Sequence, residues 1–388
     1  MPANHGNENR FGDYAETVGT VLPEYLFACS FAYLPLKDVI SASLSSRYLH
    51  KCAQATTEVH VPHSVSLQDS TVVLRVSEKF PLSKSLTLDN CAGISDYALA
   101  ELAARLPDLR RLILRKITYR DLPAILVAKG WAGKLHGLGL SGVLFFRGET
   151  IHYLLKALSS DLTEIELCGV RTLSDEHVAV LAKCCPQLRM ANFEDCSMLK
   201  CLVLDTPSLE KLCLSRCVGL TSVNVGSSCN GALTNLVSLD LSYCRCLESK
   251  QFYDFLRAVY MPSLERIDVS FCSKLEDFHM YDSRLPNLKY ATMEGCAALH
   301  SVVTHGPMNS LQFISVGMCV ALDIVSLDVP ALKALDLSML DISTLNLTAK
   351  NLQTLDISGC HKLNHLDLSK CPACENVCKG AKSSSSSI

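Results

Sequence analysis

Two groupings in this sequence have the residue types of ligand or metal chemistry. Gly137-Leu138-Gly139-Leu140-Ser141-Gly142 matches G-x-G-x-x-G. In a dinucleotide site those glycines follow a strand and open a helix, so that backbone can approach a pyrophosphate. Here Leu135, Leu138 and Leu140 fall in the register of a strand, which puts the glycines inside it. The expectation is therefore no cofactor, but a bare patch where a partner approaches the backbone closely. Cys371, Cys374 and Cys378, with His361 and His365 nearby, offer soft metal ligands. The second pair that a zinc site needs is missing, so these read as thiols at the end of the array, and no metal is expected. Asn346-Leu347-Thr348 has the spacing of a glycosylation site, which without a secretory signal has no consequence. No nucleophile has a recognisable partner set, and no P-loop or HExxH is present, so no catalytic residue is assigned and the chain is not expected to be an enzyme.

What positions these residues is one stretch written many times. Leu236, Leu239, Leu241, Cys244 and Leu247 recur as Leu264, Ile267, Val269, Cys272 and Leu275. The same frame fits Leu209, Leu212, Leu214, Cys217 and Leu220, and Leu352, Leu355, Ile357, Cys360 and Leu363. This is L-x-x-L-x-L-x-x-C-x-L, the leucine-rich-repeat pattern in its cysteine form. Nine cysteines (Cys91, Cys196, Cys217, Cys244, Cys272, Cys296, Cys319, Cys360 and Cys371) share one repeat position. They read as buried structural thiols filling the turn after each strand, not as disulfides. The fold class expected is α/β: a solenoid of horseshoe form with a short helical module at its N-terminus.

Repeat length divides the array. Spacings of 26 to 28 residues through most of the first half accommodate a strand, a turn and a helix. Tyr97–Leu106, Glu176–Cys184 and Gln251–Tyr260 are such helices, the first with a Ser95 or Asp96 cap. Near the C-terminal end the spacing falls to 20 or 21. No helix fits, and half-turns such as Leu322, Val325, Leu327 and Ile342, Leu345, Leu347 predict a second short strand backing the sheet. The horseshoe should flatten there, since outer helices force curvature.

Side chains alternate along a strand, so the residues between the paired leucines face away from the core. Those positions carry Glu166, Asp240, Asp268, Asp336, Asp356 and Asp367, with Arg111, Arg115, Lys211 and Arg266 beside or before them. An acidic groove for a basic protein surface is one reading; a soluble exposed strand written Leu-Asp-Leu-Ser is the other. Tyr290 and Phe313, on the same face, are candidate hot spots, because aromatic residues dominate interface energetics.

Residues 22–53 have a different character. Leu22, Leu26, Phe31, Leu34, Val39, Ile40 and Leu44 recur at helical spacing, and Pro23 and Pro35 punctuate them. This stretch resembles an F-box: Leu22-Pro23, Leu26, Phe31, Leu34-Pro35, Asp38-Val39-Ile40 and Ser46-Arg47. It departs from that pattern at Ser45 and Leu49, where the family has Val and Trp. The resemblance implies that Leu22, Pro23, Leu26, Phe31, Leu34, Pro35, Val39 and Ile40 dock on a Skp-type adaptor of a cullin–RING ubiquitin ligase, with the repeats holding an unknown protein substrate. The alternative is a helical cap closing the solenoid's open end, which such arrays need.

The divisions expected are a disordered lead (1–20), the F-box-like module (21–55), an irregular first repeat (56–82), the array (83–373) and a C-terminal tail (374–388). A net charge of −3 with no basic block argues against nucleic acid as the main partner. Neither an apolar leader nor a run long enough to span a bilayer is present, so no membrane partner is expected, and the location expected is cytoplasmic or nuclear.

Overall fold

A computed structural model describes residues 47–61, 70–89, 91, 93–116, 122–142, 147–342, 344–346 and 349–379. They fall into two units, Met1–Glu166 and Leu167–Ile388. The residues expected to dock on an adaptor, Leu22 to Ile40, lie outside the described residues, as does the tail from residue 380.

In the first unit, β1 (Glu58–Val61), β2 (Ser85–Leu88), β3 (Arg111–Arg115), β4 (Gly137–Ser141) and β5 (Glu164–Glu166) lie side by side in chain order, all parallel. Register is set by burial. Leu86, Leu112, Leu138 and Ile165 are aligned across the sheet, and none is exposed to solvent. A one-residue slip would turn that row to water. Each long connection has room for a helix: α2 (Ser70–Lys79), α3 (Asp96–Arg105), α4 (Leu122–Ala128) and α5 (Gly148–Ala157) follow β1 to β4 in turn. Ser95 caps α3 as expected, its Oγ accepting from the Ala98 N–H at 3.2 Å. Ahead of β1, α1 (Arg47–Gln54) buries Cys52 and Ala53 completely.

The second unit continues the rule with shorter strands. β6 (Met190–Asn192), β8 (Lys211–Cys213), β10 (Ser238–Asp240), β11 (Arg266–Asp268), β13 (Tyr290–Thr292), β15 (Phe313–Ser315), β17 (Ala334–Asp336), β19 (Thr354–Asp356) and β21 (Asn376–Cys378) form a parallel main sheet. Among the described residues, α-helices occupy only the coils with α6 (Asp175–Cys184) and α7 (Ser249–Ala258), and a short 3-10 turn spans Ser227–Cys229. The other coils carry a second strand: β7 (Cys201–Leu204) with β9 (Ser222–Val225), β12 (Asp277–Tyr281) with β14 (Ser301–His305) and β16 (Ile324–Ser326), and β18 (Thr344–Asn346) with β20 (His365–Asp367). The split into half-turns thus begins at β7, in a coil whose leucines Leu188 and Leu209 are only 21 residues apart, well ahead of the C-terminal end where it was expected. It also ends later. β21 lies in the stretch expected as tail, and its Val377 pairs with Leu355 of β19.

Every coil turns at the same place. From Leu109 on, the residue seven positions after the first leucine has positive φ: Lys116, Gly142, Gly169, Asp195, Arg216, Tyr243, Phe271, Gly295, Met318, Met339 and Gly359. The residue after it is usually the repeat cysteine. Among the described residues no helix is long and apolar enough to cross a membrane.

Candidate protein-binding face

The outward face of the first unit is covered by charge. Arg111 on β3 reaches across β4 to Glu164 on β5 in a two-pronged pair, Nε to Oε2 at 2.6 Å and Nη2 to Oε1 at 2.7 Å. Gly137 lies beneath, and a Cβ there would stand 2.9 Å from Arg111 Cγ. At Gly139 a Cβ would stand 2.5 Å from Ile113 Cδ1. Both glycines are buried. The bare patch expected above them is therefore absent: neighbouring side chains lean over the glycines and close it. Glu166 belongs to the same system, accepting from Arg115 at 3.4 Å, while Arg115 also donates to Asp89 at 3.0 Å. Burial raises the Asp89 pKa, but His60 at 2.7 Å and Arg115 more than reverse it, so the carboxyl sits below its usual value.

On the second unit the strand positions form columns. The first position carries Lys211, Ser238, Arg266, Tyr290 and Phe313. Tyr290 and Phe313 are half-buried neighbours, ring centroids 6.5 Å apart, and the Arg266 guanidinium lies 4.4 Å over the Tyr290 ring. Two rings backed by a guanidinium are the residue types that carry binding energy where a surface is an interface.

The third position carries the acids, and their first role is local. Asp240, Asp268, Asp336 and Asp356 each accept, through Oδ1, from the N–H two residues on: Ser242, Ser270, Ser338 and Ser358, at 2.8 to 2.9 Å. The motif Leu-Asp-Leu-Ser thus ends the strand with a side-chain turn. Register aligns Asp240 with Asp268 and Asp336 with Asp356, with Thr292 and Ser315 between the two pairs. Asp367 makes the same turn with Ser369, but it stands on β20, in the backing sheet opposite Asn346. It is not on the face with the others, because alternate half-turns feed different sheets. Glu166 stands in the first unit. The four remaining acids, Tyr290 and Phe313 do share one sheet.

Sequence reading passed over the positive-φ column. For a bulky residue the left-handed conformation costs about 1–2 kcal/mol. Yet Tyr243 and Phe271 hold it at φ 60°, stacked with centroids 4.5 Å apart and planes 11° apart, with the Arg216 guanidinium 4.9 Å over Tyr243. A recess of about 490 Å³ opens beside them, lined by Glu194, Asp195, Arg216, Val218, Tyr243 and Arg245. The signal was present: glycine fills the same frame position at 169, 295 and 359.

The backing sheet holds a second cluster. His279 and His305 approach to 3.1 Å between Nδ1 and Nε2, and Tyr281 stacks on His305 at 4.4 Å. Burial, with help from His305, holds the His279 pKa below its ordinary 6.5. Among the described residues no group of three or more His, Cys, Asp or Glu is placed to hold a metal ion. Cys371 is buried at the end of the core, while Cys378 stands exposed on β21.

No model of a known protein family matches the chain. Among solved structures it is similar to a chain of the yeast Rad7–Elc1 complex: 18% identity, 63% of this chain and 73% of that one, TM-score 0.43. A chain of the TLR13–ssRNA13 complex shares 18% identity over 76% of this chain and 51% of that one, TM-score 0.36. A leucine-rich-repeat protein of Leptospira interrogans shares 15% over 78% and 91%, TM-score 0.32. The classification rests on the chain's own geometry. Parallel strands at one frame position per coil, inward leucines and a fixed turn make each unit a leucine-rich-repeat solenoid.

Proposed function

We propose that this chain receives a protein substrate for a cullin–RING (SCF-type) ubiquitin ligase. The observation that carries the receptor half is the Arg266–Tyr290–Phe313 anchor on the outward face of the second unit's main sheet. The F-box-like residues 22–53, ahead of the array, support the ligase half: they would dock on a Skp-type adaptor and its cullin. Ubiquitin transfer belongs to a partner enzyme, and this chain supplies recognition in the cytoplasm or nucleus.

The test is an affinity pull-down of the full chain from its own cell lysate, read by mass spectrometry beside two variants. Leu34→Ala/Pro35→Ala should lose adaptor and cullin and keep the other partners. Arg266→Ala/Tyr290→Ala/Phe313→Ala should do the reverse, with the substrate weakened at least about tenfold. Absence of adaptor and cullin from the wild-type sample would overturn the ligase half. The complete burial of Cys52 and Ala53 in α1 favours a second reading, an interaction scaffold with residues 22–53 as its cap. Deleting residues 1–55 then unfolds the first unit, whereas a separate docking module can be removed without that loss.

A further inference from the structure

The positive-φ column is occupied against its own conformational preference. The fold accepts glycine there four times, at Gly142, Gly169, Gly295 and Gly359. At Arg216, Tyr243, Phe271, Met318 and Met339 it carries long side chains instead, at φ 60–61°. They form one line. Arg216 covers Tyr243, Tyr243 stacks on Phe271, and a Cβ at Gly295 would stand 2.5 Å from Phe271 Cε1. Further along, the Met339 thioether lies over Gly359. With ring faces used on one another and on the glycine, ring edges and thioethers are what the line offers outward. Met318 is 45% exposed and Met339 55%.

Parallel to this ridge run the half-buried carboxylates of Asp240, Asp268, Asp336 and Asp356. Each keeps Oδ1 on a turn N–H, which fixes the side chain and leaves the negative charge at the surface. Between the two lines lie Ser242, Ser270, Gly317, Ser338 and Ser358, all small, and in the middle coil Glu294, which adds to the acidic side. The result is a trough with an apolar wall and an acidic wall.

We propose that this trough binds an extended segment of a partner protein that carries basic side chains toward the carboxylates and apolar ones toward the ridge. The inference rests on the receptor reading above and names its substrate class. A cation recruited by carboxylates is attracted over several ångströms, and thioethers re-pack around varied apolar groups. Residues that favoured stability alone would be glycine at each ridge position.

The test uses the full chain and a positional-scanning library of synthetic peptides in which lysine, leucine, glutamate and serine are varied at each position. Lysine and leucine should be selected and glutamate rejected. The selected peptide should bind Tyr243→Gly/Phe271→Gly about tenfold more weakly or worse, while the melting temperature does not fall, since glycine suits that backbone. Asp268→Asn/Asp356→Asn keeps an oxygen for each turn and should lose both the lysine preference and the salt dependence. Selection of glutamate, selection of nothing, or undiminished binding by the glycine variant would overturn the trough. If the glycine variant binds normally and the Arg266/Tyr290/Phe313 variant does not, the trough fails and the receptor reading survives. If no variant affects any partner in the pull-down, both fail.

Discussion

The Sγ of Cys217 lies 3.1 Å from the carbonyl oxygen of Phe193, one coil back. The same bond joins Cys244 to Leu214, Cys272 to Leu241, Cys296 to Val269 and Cys360 to Leu337. Each thiol thus bonds a carbonyl just past a strand of the preceding coil; those of Phe193, Leu214, Leu241 and Val269 already accept the turn N–H of their own coil's cysteine, so the thiol ties neighbouring coils together. Burial pushes the Cys217 and Cys272 thiols up to about 12, so they stay protonated and donate. His279 shows the opposite case. Its folded-state pKa lies below 6.5, so as pH falls through 6.5 the unfolded chain takes up a proton that the folded chain resists. Its contribution to stability is complete above pH 6.5 and is lost below it. Melting curves between pH 7 and 5 should show the second unit weakening toward acid, and His279→Gln should flatten that slope; an unchanged slope would refute the assignment. Much of this scale was legible in the sequence. The cysteine frame and the positions of the acids follow from leucine spacing. The closing of the glycine patch does not, because the Arg111–Glu164 pair skips a strand and joins residues 53 apart.

Elements in this molecule are tied at their beginnings. The Asp175 carboxylate, at the start of α6, accepts from the N–H groups of Lys200 and Cys201, both at 3.0 Å, where β7 starts. Ser249, at the start of α7, accepts from Glu276 and Asp277 in the same way, at 3.1 Å, where β12 starts. A helix in one coil therefore sets the entry of the backing strand in the next. Asp175→Ala removes two charge-assisted bonds at an exposed site and should cost about 1 kcal/mol, measured by urea unfolding; Asp175→Asn should recover most of it. Helices were readable because their coils are long enough to need them. The backing strands β7 and β9 were not, because Leu202 and Leu204 or Val223 and Val225 alternate over too few residues to be told from a turn. β21 was hidden for a related reason: Val377 is its only inward aliphatic residue. The positive-φ column was missed because sequence reading asked which residues point inward, and backbone hand is not encoded in that pattern.

In a solenoid each coil touches only its neighbours, so stability accumulates coil by coil and opening is local. The thiol ladder turns that property into a record. Most coils of the second unit carry one buried sulfhydryl, from Cys196 through Cys319, and an enclosed thiol is out of reach of an electrophile until its coil opens. A brief pulse of iodoacetamide across a urea series should mark Cys201 and Cys378 at once, since both are exposed. The ladder thiols should follow in order of the weakness of their own coils, and a single simultaneous step would show that the unit opens as one. The molecule is in effect a ruler with a chemical tick at each graduation, and its fraying can be read by mass alone without attaching any probe.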